Sequence, residues 1–451
     1  MTAQGHRRAR FGFALPVYLG FCLILGGASA AGVLANLFLQ LTAIVILAVL
    51  AWQRVSAPSV RHTPQERWLA AIVLLALLLP LIQLIPLPPS WWQELPGRAA
   101  IVAGDHLLGM GDVWRPISLQ PSRTLWSWLW VLAPLATLAL TLRADHDERR
   151  IAVAVLILVA VVSSGVGLIQ VLQGTASQGY FYATTNSNTS VGFFANSNHL
   201  ATLFLLAIAF SAGFPYSPRT GGAAWSAVRA ALIVLFLINL GVNRSLAGYL
   251  LAVPVTAFAL ARSTHGRRWR ARVRWLAPAA AALLLACVIG VAIWGGDTLR
   301  TITTNTTDAG RRLTFLDNTW QLIRDSFPLG YGLGTFRWSY AGIENMASVT
   351  LVYVNHAHND WAELVAELGL GAVVLLLGFG GWYGLRAVAL WRRRHQLPGY
   401  LPSAFAGVAI IALHSVVDYP ARTAAIATVA VMCVGMIARP NIATDASDAD
   451  D

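Results

Sequence analysis

Apolar runs long enough to cross a bilayer recur along almost the whole of this 451-residue chain, and no other property narrows its fold so far. About 30 Å of hydrocarbon calls for about 17–25 apolar residues of helix. Windows of that kind fall at 11–30, 33–52, 68–87, 124–142, 151–172, 199–215, 227–242, 246–261, 275–295, 362–385, 401–418 and 422–438. With 57% hydrophobic and only 12% charged residues, and a mean hydropathy of +0.61, a soluble core could not hide so much apolar surface. The expected fold class is therefore all-α integral membrane, with about twelve transmembrane helices and a long loop, 296–361, between the ninth and tenth spans.

The basic residues orient that arrangement. All 32 are arginines, and with the amino terminus inside, 22 of them fall in loops on the inner face and 10 on the outer. Cytoplasmic loops carry such an excess, so the pattern predicts that both termini are cytoplasmic. A pI near 10.3 then needs no nucleic-acid partner, because the charge is spread over loops that meet anionic lipid headgroups. The first apolar run ends in Ala28-Ser29-Ala30 after a basic start, like a signal-peptidase site, but its length and the span that follows at once favour a retained helix. Cys22, Cys287 and Cys433 lie in apolar runs as small core residues, with no disulfide framework implied.

The working face is expected outside. Loops 88–123, 174–198 and 296–361 are the long ones there, whereas the inner loops are short, basic and too small to fold a nucleotide-binding domain. No GxxxxGK[ST] and no strand-linked GxGxxG occurs, which argues against a nucleotide-driven pump or a nucleotide cofactor. No internal repeat of the inverted-transporter kind is evident. Residues 1–190 read as an amino-terminal group of five helices, and 439–451 as a disordered acidic cytoplasmic tail.

Polar residues crowd four places at span ends, where they are costly unless they line a wet cavity or a reaction site. His356-Ala357-His358-Asn359-Asp360-Trp361 places two imidazoles two residues apart, so both could face one substrate, and a neutral imidazole suits proton removal from a sugar hydroxyl. The plain alternative is a pair of interfacial histidines bonded to loop carbonyls. Beyond Asn359 a helix would put Asp360, Glu363 and Glu367 on one stripe, to orient a histidine, bind acceptor sugar or form a solvated network. The His-x-His spacing with Asp360 is weak evidence for a metal, and no metal or cofactor is expected.

Asn243-Arg244-Ser245 breaks two apolar runs, and its guanidinium either snorkels to headgroups or grips a phosphate. Arg311-Arg312 stands where arginines are scarce and suggests an anionic ligand. Asn196 and Asn198 are expected to cap the following helix. His414 and Asp418, one helical turn apart, are placed to pair with each other.

These motifs together resemble the O-antigen ligase and O-antigen polymerase superfamily. The resemblance rests on His358-Asn359-Asp360-Trp361 with Glu363, Glu367 and Gly369, on Arg312 and on Pro328-Leu329-Gly330-Tyr331-Gly332-Leu333-Gly334, and on Gly192 to His199 and Asn243-Arg244-Ser245 upstream. It covers about residues 190–420 and sets apart 191–438 as a ligase/polymerase-like transmembrane domain. It implies a bacterial inner-membrane glycosyltransferase of the multi-span, GT-C-like type with a periplasmic active site. The donor would be a glycan on undecaprenyl diphosphate and the acceptor a glycan or lipid A-core, amid membrane lipids and with other polysaccharide-assembly proteins as partners.

By the same resemblance His358 would be the general base, and Arg244 with Arg312, or its neighbour Arg311, would bind the diphosphate. His356, Asn359, Asp360, Glu363, Asn196, Asn198, His414 and Asp418 would bind substrate or orient these groups. The Ser-Arg element of the family reads Asn-Arg-Ser here, and the His356 to Trp361 variant with Phe327-Pro328-Leu329-Gly330 leans toward the polymerases. The rival from another class is a carrier or channel for an anion or glycolipid, with the outer arginines as an electrostatic funnel. Against it, the polar residues gather on one face and trace no path through the bilayer.

Overall fold

The computed structural model describes residues 13–29, 34–55, 63–214, 223–263, 296–346, 349, 353–393 and 397–440. The expected ninth span at 275–295, Cys287, Ala30 of the cleavage-like site and the acidic tail beyond Pro440 lie outside the described residues. What is described is nearly all helix. Six helical stretches are long and apolar enough to cross a membrane: Leu34–Gln53, Pro64–Ile82, Pro121–Arg143, His146–Ala176, Ala224–Asn243 and Leu370–Trp391. Five shorter apolar helices accompany them: Ala14–Leu25, Ser197–Ser211, Leu246–Arg262, Leu401–His414 and Ala424–Ala438. Eleven of the twelve apolar windows thus coincide with apolar helices.

In chain order the helices are α1 Ala14–Leu25, α2 Leu34–Val55, α3 Pro64–Ile82, α4 Pro89–Trp92, α5 Ala99–Leu107, α6 Pro121–Trp130, α7 Leu132–Arg143, α8 His146–Gln173, α9 Ser197–Ser211, α10 Ala223–Asn243 and α11 Leu246–Ser263. There follow α12 Gly296–Ser326, α13 Phe336–Ala341, α14 Asp360–Leu368, α15 Leu370–Trp391, α16 Leu401–His414 and α17 Ala424–Ala438. Helix starts follow local chemistry. Thr63 with Glu66, and Asp145 with Glu148, close capping boxes that satisfy the free amides of α3 and α8. The window at 362–385 is two helices: Gly369, at φ +58°, ends α14 and starts α15. The long outer loop contains the 31-residue α12, which packs against α14.

Helix α9 is apolar on every side, and His199 to Ser211 are all buried, so it forms the centre of the bundle with α8, α10, α11 and α16 around it. The other central helix, α17, packs on α7, α16 and α1.

The two ends of this bundle differ in chemistry. At one end guanidinium groups bind helix termini: Arg386 donates to the carbonyls of Ile437 and Ala438, Arg149 to those of Arg439 and Thr141, and Arg143 to that of Leu50. Arg439 pairs there with Glu66 at 2.6 Å. These arginines are among the 22 that the sequence assigns to the inner face, here carried at or near helix ends, and cations near helix carboxyl ends are favourably placed. At the other end lie the segments between α3 and α6, α8 and α9, α12 and α15, and α16 and α17. A two-stranded ribbon pairs Pro86 with Pro116 and Leu87 with Arg115 and closes the base of the first of these segments.

Candidate active site

The segment leading into α14 carries both histidines, and its backbone holds them in an unusual conformation. His358 has φ +52°, in the left-handed region that costs a residue with a Cβ about 1–3 kcal/mol. The surrounding bonds impose it. Asn359 caps α14 by accepting from the Ala362 amide at 2.9 Å while its own amide donates to the Val416 carbonyl, and Asp360 N donates to the Ser415 carbonyl. The start of α14 is thereby tied to the turn after α16.

That turn supplies a carboxylate to the histidine. His358 Nδ1 donates to Asp418 Oδ1 at 3.0 Å, across 60 residues of sequence. The Asp418 side chain is fully buried and His358 about a quarter exposed, so the imidazole is oriented from within and open from without. Burial, the largest single effect, works to raise the Asp418 carboxyl, but the His358 hydrogen bond together with the charges of His358, His199 and Arg312 holds the group well below the usual carboxylate range. Phe315 of α12 stacks on the His358 ring at 5.8 Å, and one helical turn earlier Arg312 donates to the Val417 carbonyl at 3.2 Å. Arg312 is thus brought beside the His358–Asp418 pair. Arg311 is exposed on the same helix.

His356 is held differently. Its Nδ1 meets Glu363 Oε1 at 2.8 Å, the other oxygen of Glu363 accepts the Ala357 amide, and its ring lies 4.3 Å from that of Tyr419. Tyr419 also touches His358 and His199, each at 5.0 Å, so three imidazoles surround one phenol ring. The stripe of Asp360, Glu363 and Glu367 is buried, and all three carboxylates converge on Arg422, at 3.5, 3.3 and 3.0 Å. Burial pushes Asp360 up to about 6 against the pull of Arg422. Burial also favours protonation of Glu363, yet Arg422, His356 and the Ala357 amide together bring it down to about 2.

The third carboxylate anchors the glycine-rich turn. Glu367 Oε1 accepts from Gly334 N at 2.8 Å, and Gln83 bridges the same region by donating to the carbonyls of Glu367 and Leu329 and accepting from Leu333 N. Gly330 has φ +74°, and a Cβ there would strike the Glu367 carbonyl, which is why this approach needs glycine. Arg98, 1% exposed between the Trp92 and Tyr331 rings, donates to the carbonyls of Ile117 and Gly330 and fastens loop 88–123 over the turn.

The remaining expected residues divide. Asn196 caps α9 by accepting from Asn198 N and approaches Tyr419 Oη at 3.5 Å, so the capping role holds and one cap also faces the histidine cluster. The side chains of His414 and Asp418 do not hydrogen-bond to each other, although Asp418 N donates to the His414 carbonyl: α16 ends at His414, whose Nδ1 shares a hydrogen bond with Thr202 Oγ1, and the turn beyond carries the Asp418 carboxylate to His358. Arg244 is exposed, at φ +62°. Its neighbour Asn243 is buried and donates to the carbonyls of Ser190 and Ser197, placing Arg244 beside the 190–197 segment and its Asn196, one contact removed from the histidines. Among the described residues no three His, Cys, Asp or Glu side chains gather as metal ligands.

The sequence does not single out Tyr419, Arg422 and His199 as site residues, and it marks Glu367 only through the stripe and the family motif. For Arg422 the sequence holds a signal, since it is one of only 10 arginines on the face expected to be outer, the same scarcity that marks Arg311-Arg312.

Residues 231–377 match the model of the family described as O-antigen ligase. The match takes in Arg244, Arg311, Arg312, His356 and His358 and stops short of Asp418 and Arg422. No curated protein matches the chain.

Proposed function

Because this multi-pass membrane protein carries a domain of the O-antigen ligase and polymerase superfamily, we propose that it is an inner-membrane glycosyltransferase acting at the periplasmic face. It transfers or polymerises saccharide units carried on undecaprenyl diphosphate, without a metal. The observation that carries the reading is the His358–Asp418 pair with Arg312 beside it.

The chemistry follows from that arrangement. Asp418 takes the Nδ1 proton of His358 as a hydrogen bond and so leaves Nε2 as the basic nitrogen. Nε2 removes the proton of an acceptor hydroxyl as its oxygen bonds to the anomeric carbon, and the bond from that carbon to the donor diphosphate breaks. The products are a glycosidic bond, a polyprenyl diphosphate and a protonated His358. Charge growing on the departing diphosphate is met by Arg312, and by Arg244 across the site, as fixed guanidinium groups that need no reorganisation. Asp418 and the stacked Phe315 keep the ring in place, and Asn196 and Asn198 border the same space. In this reading residues 191–438 form the catalytic transmembrane domain and 1–190 supply the covering loop.

The test is transfer in detergent by purified protein given lipid-linked donor and acceptor, where no sealed vesicle is needed. His358→Ala is expected to leave an inserted, folded protein while product formation falls by about 10²–10⁴-fold, the usual contribution of a positioned base, and donor accumulates in cells. Wild-type polymer from that variant would sink the assignment.

A further inference from the structure

The geometry points to a binding platform for an anionic saccharide chain, made by Tyr353, Arg337, Trp338 and Arg123 on the outer surface next to the site. This inference rests on the glycosyltransferase reading and extends it to the class of acceptor. Each guanidinium lies against an aromatic ring, and Trp338 contacts both. The Arg337 guanidinium lies 3.5 Å from the Tyr353 ring centre and 5.1 Å from that of Trp338, and the Arg123 guanidinium lies 5.8 Å from the Trp338 ring centre. Trp338 is 44% and Tyr353 53% exposed.

Three separated segments build this row, and each is tied to the catalytic centre. Tyr353 stands three residues before His356. Arg337 and Trp338 belong to α13, whose Phe336 amide reaches Glu367 and whose Tyr340 packs on Phe315, the residue stacked on His358. Arg123 opens α6 at the end of loop 88–123. A chain lying on the row would therefore rest on the segments that position the imidazole.

Comparison with Arg98 separates a binding role from a structural one. Arg98 is also held between two aromatic rings, yet it is buried and its guanidinium donates to the carbonyls of Ile117 and Gly330. Among the described residues, neither Arg123 nor Arg337 donates a side-chain hydrogen bond or makes an ion pair. A guanidinium held against an aromatic ring and not spent on a protein acceptor keeps the forked N–H donors that take a carboxylate or phosphate bidentately. Exposed aromatic faces offer the flat apolar surface on which a sugar ring's C–H face rests. The row combines both requirements of an acidic sugar.

The experiment uses the full-length protein in detergent carrying His358→Ala, so that binding is read with catalysis removed and the fate of the proposed base does not decide the result. The probes are an oligogalacturonate, a phosphorylated oligomannoside and the neutral maltotetraose, followed by saturation-transfer NMR and by titration. One anionic probe is expected to bind, carboxylated or phosphorylated according to the natural source, more weakly as salt is raised and well above maltotetraose. Arg337→Gln and the pair Trp338→Ala with Tyr353→Ala, each shown by thermal unfolding to be folded, are expected to weaken that binding by at least about tenfold, or about 1.4 kcal/mol. Binding of neither anionic probe, equal binding of maltotetraose, or undiminished binding by both variants would overturn the platform and leave the transfer reaction itself standing.

Discussion

Two of the three non-glycine residues with positive φ among the described ones, Arg244 and His358, are those assigned to donor and acceptor chemistry. Strain of that kind persists only where neighbours over-determine it, and at His358 the neighbours are Asn359, Asp360 and the turn bearing Asp418. The carboxylate sets both the tautomer and the direction of the ring, so Asp418→Asn, which keeps the shape but can also donate, is expected to lower kcat by about 10²–10⁴-fold. Its effect on acceptor KM and on thermal unfolding should be small by comparison. A wild-type kcat would show that the pair is only structural. Because Asp418 stays ionised far below neutral pH, the acid limb of a pH–rate profile should not belong to it.

Helix α14 is short, yet its buried stripe organises the surrounding loops. Glu363 fixes His356, Glu367 fixes the glycine-rich turn, and Arg422 pairs with all three carboxylates of the stripe. Arg422→Gln leaves three buried carboxylates without their cation, and removing one partner of a buried pair typically costs about 3–5 kcal/mol. The pH dependence has a definite sign. Asp360 is raised by burial to about 6, so the stability it contributes is whole below its ordinary value and falls as pH rises through 6. Glu363, brought down to about 2, contributes fully above its ordinary range and is constant from pH 5 to 7. Glu367, raised by its burial, adds to the Asp360 trend. The unfolding temperature of Arg422→Gln should therefore drop more between pH 5 and pH 7 than that of the wild type, and equal drops would mean that the hub does not govern stability. At the end of the same helix, Gly369→Ala places a Cβ at φ +58° against the Pro328 carbonyl. It should destabilise the protein by about 1–3 kcal/mol, measured by thermal unfolding, whereas Gly380→Ala, with open space at its Cβ, should not.

At the scale of the whole molecule, one end of the bundle binds arginines to helix termini and the other gathers the polar loops. If the site end is periplasmic, Leu108→Cys, at a position 74% exposed in loop 88–123, should react with a membrane-impermeant maleimide in intact cells. Asp147→Cys, at the start of α8 on the arginine end and 79% exposed, should react only after lysis. The opposite pattern would reverse the orientation. Cys22 and Cys433 are buried and should not interfere.

Sequence alone settled the membrane class, the course of most apolar helices, the crowding of polar residues at their ends and the resemblance that the family match over residues 231–377 supports, because hydropathy, caps and motifs are local properties of a chain. It also put Asp360, Glu363 and Glu367 on one stripe, since helical period fixes that spacing. Partner choice among the charges was decided only in three dimensions. The Asp418 carboxylate bonds to the His358 ring, 60 residues away, and not to the His414 ring four residues away, because α16 stops at His414 and the turn after it packs on the start of α14. Helical spacing cannot report where a helix ends against another segment, and no local pattern joins Arg123 to Trp338 or Arg422 to the stripe. Those contacts arise from packing between helices distant in sequence, and on them depends which imidazole is open to react.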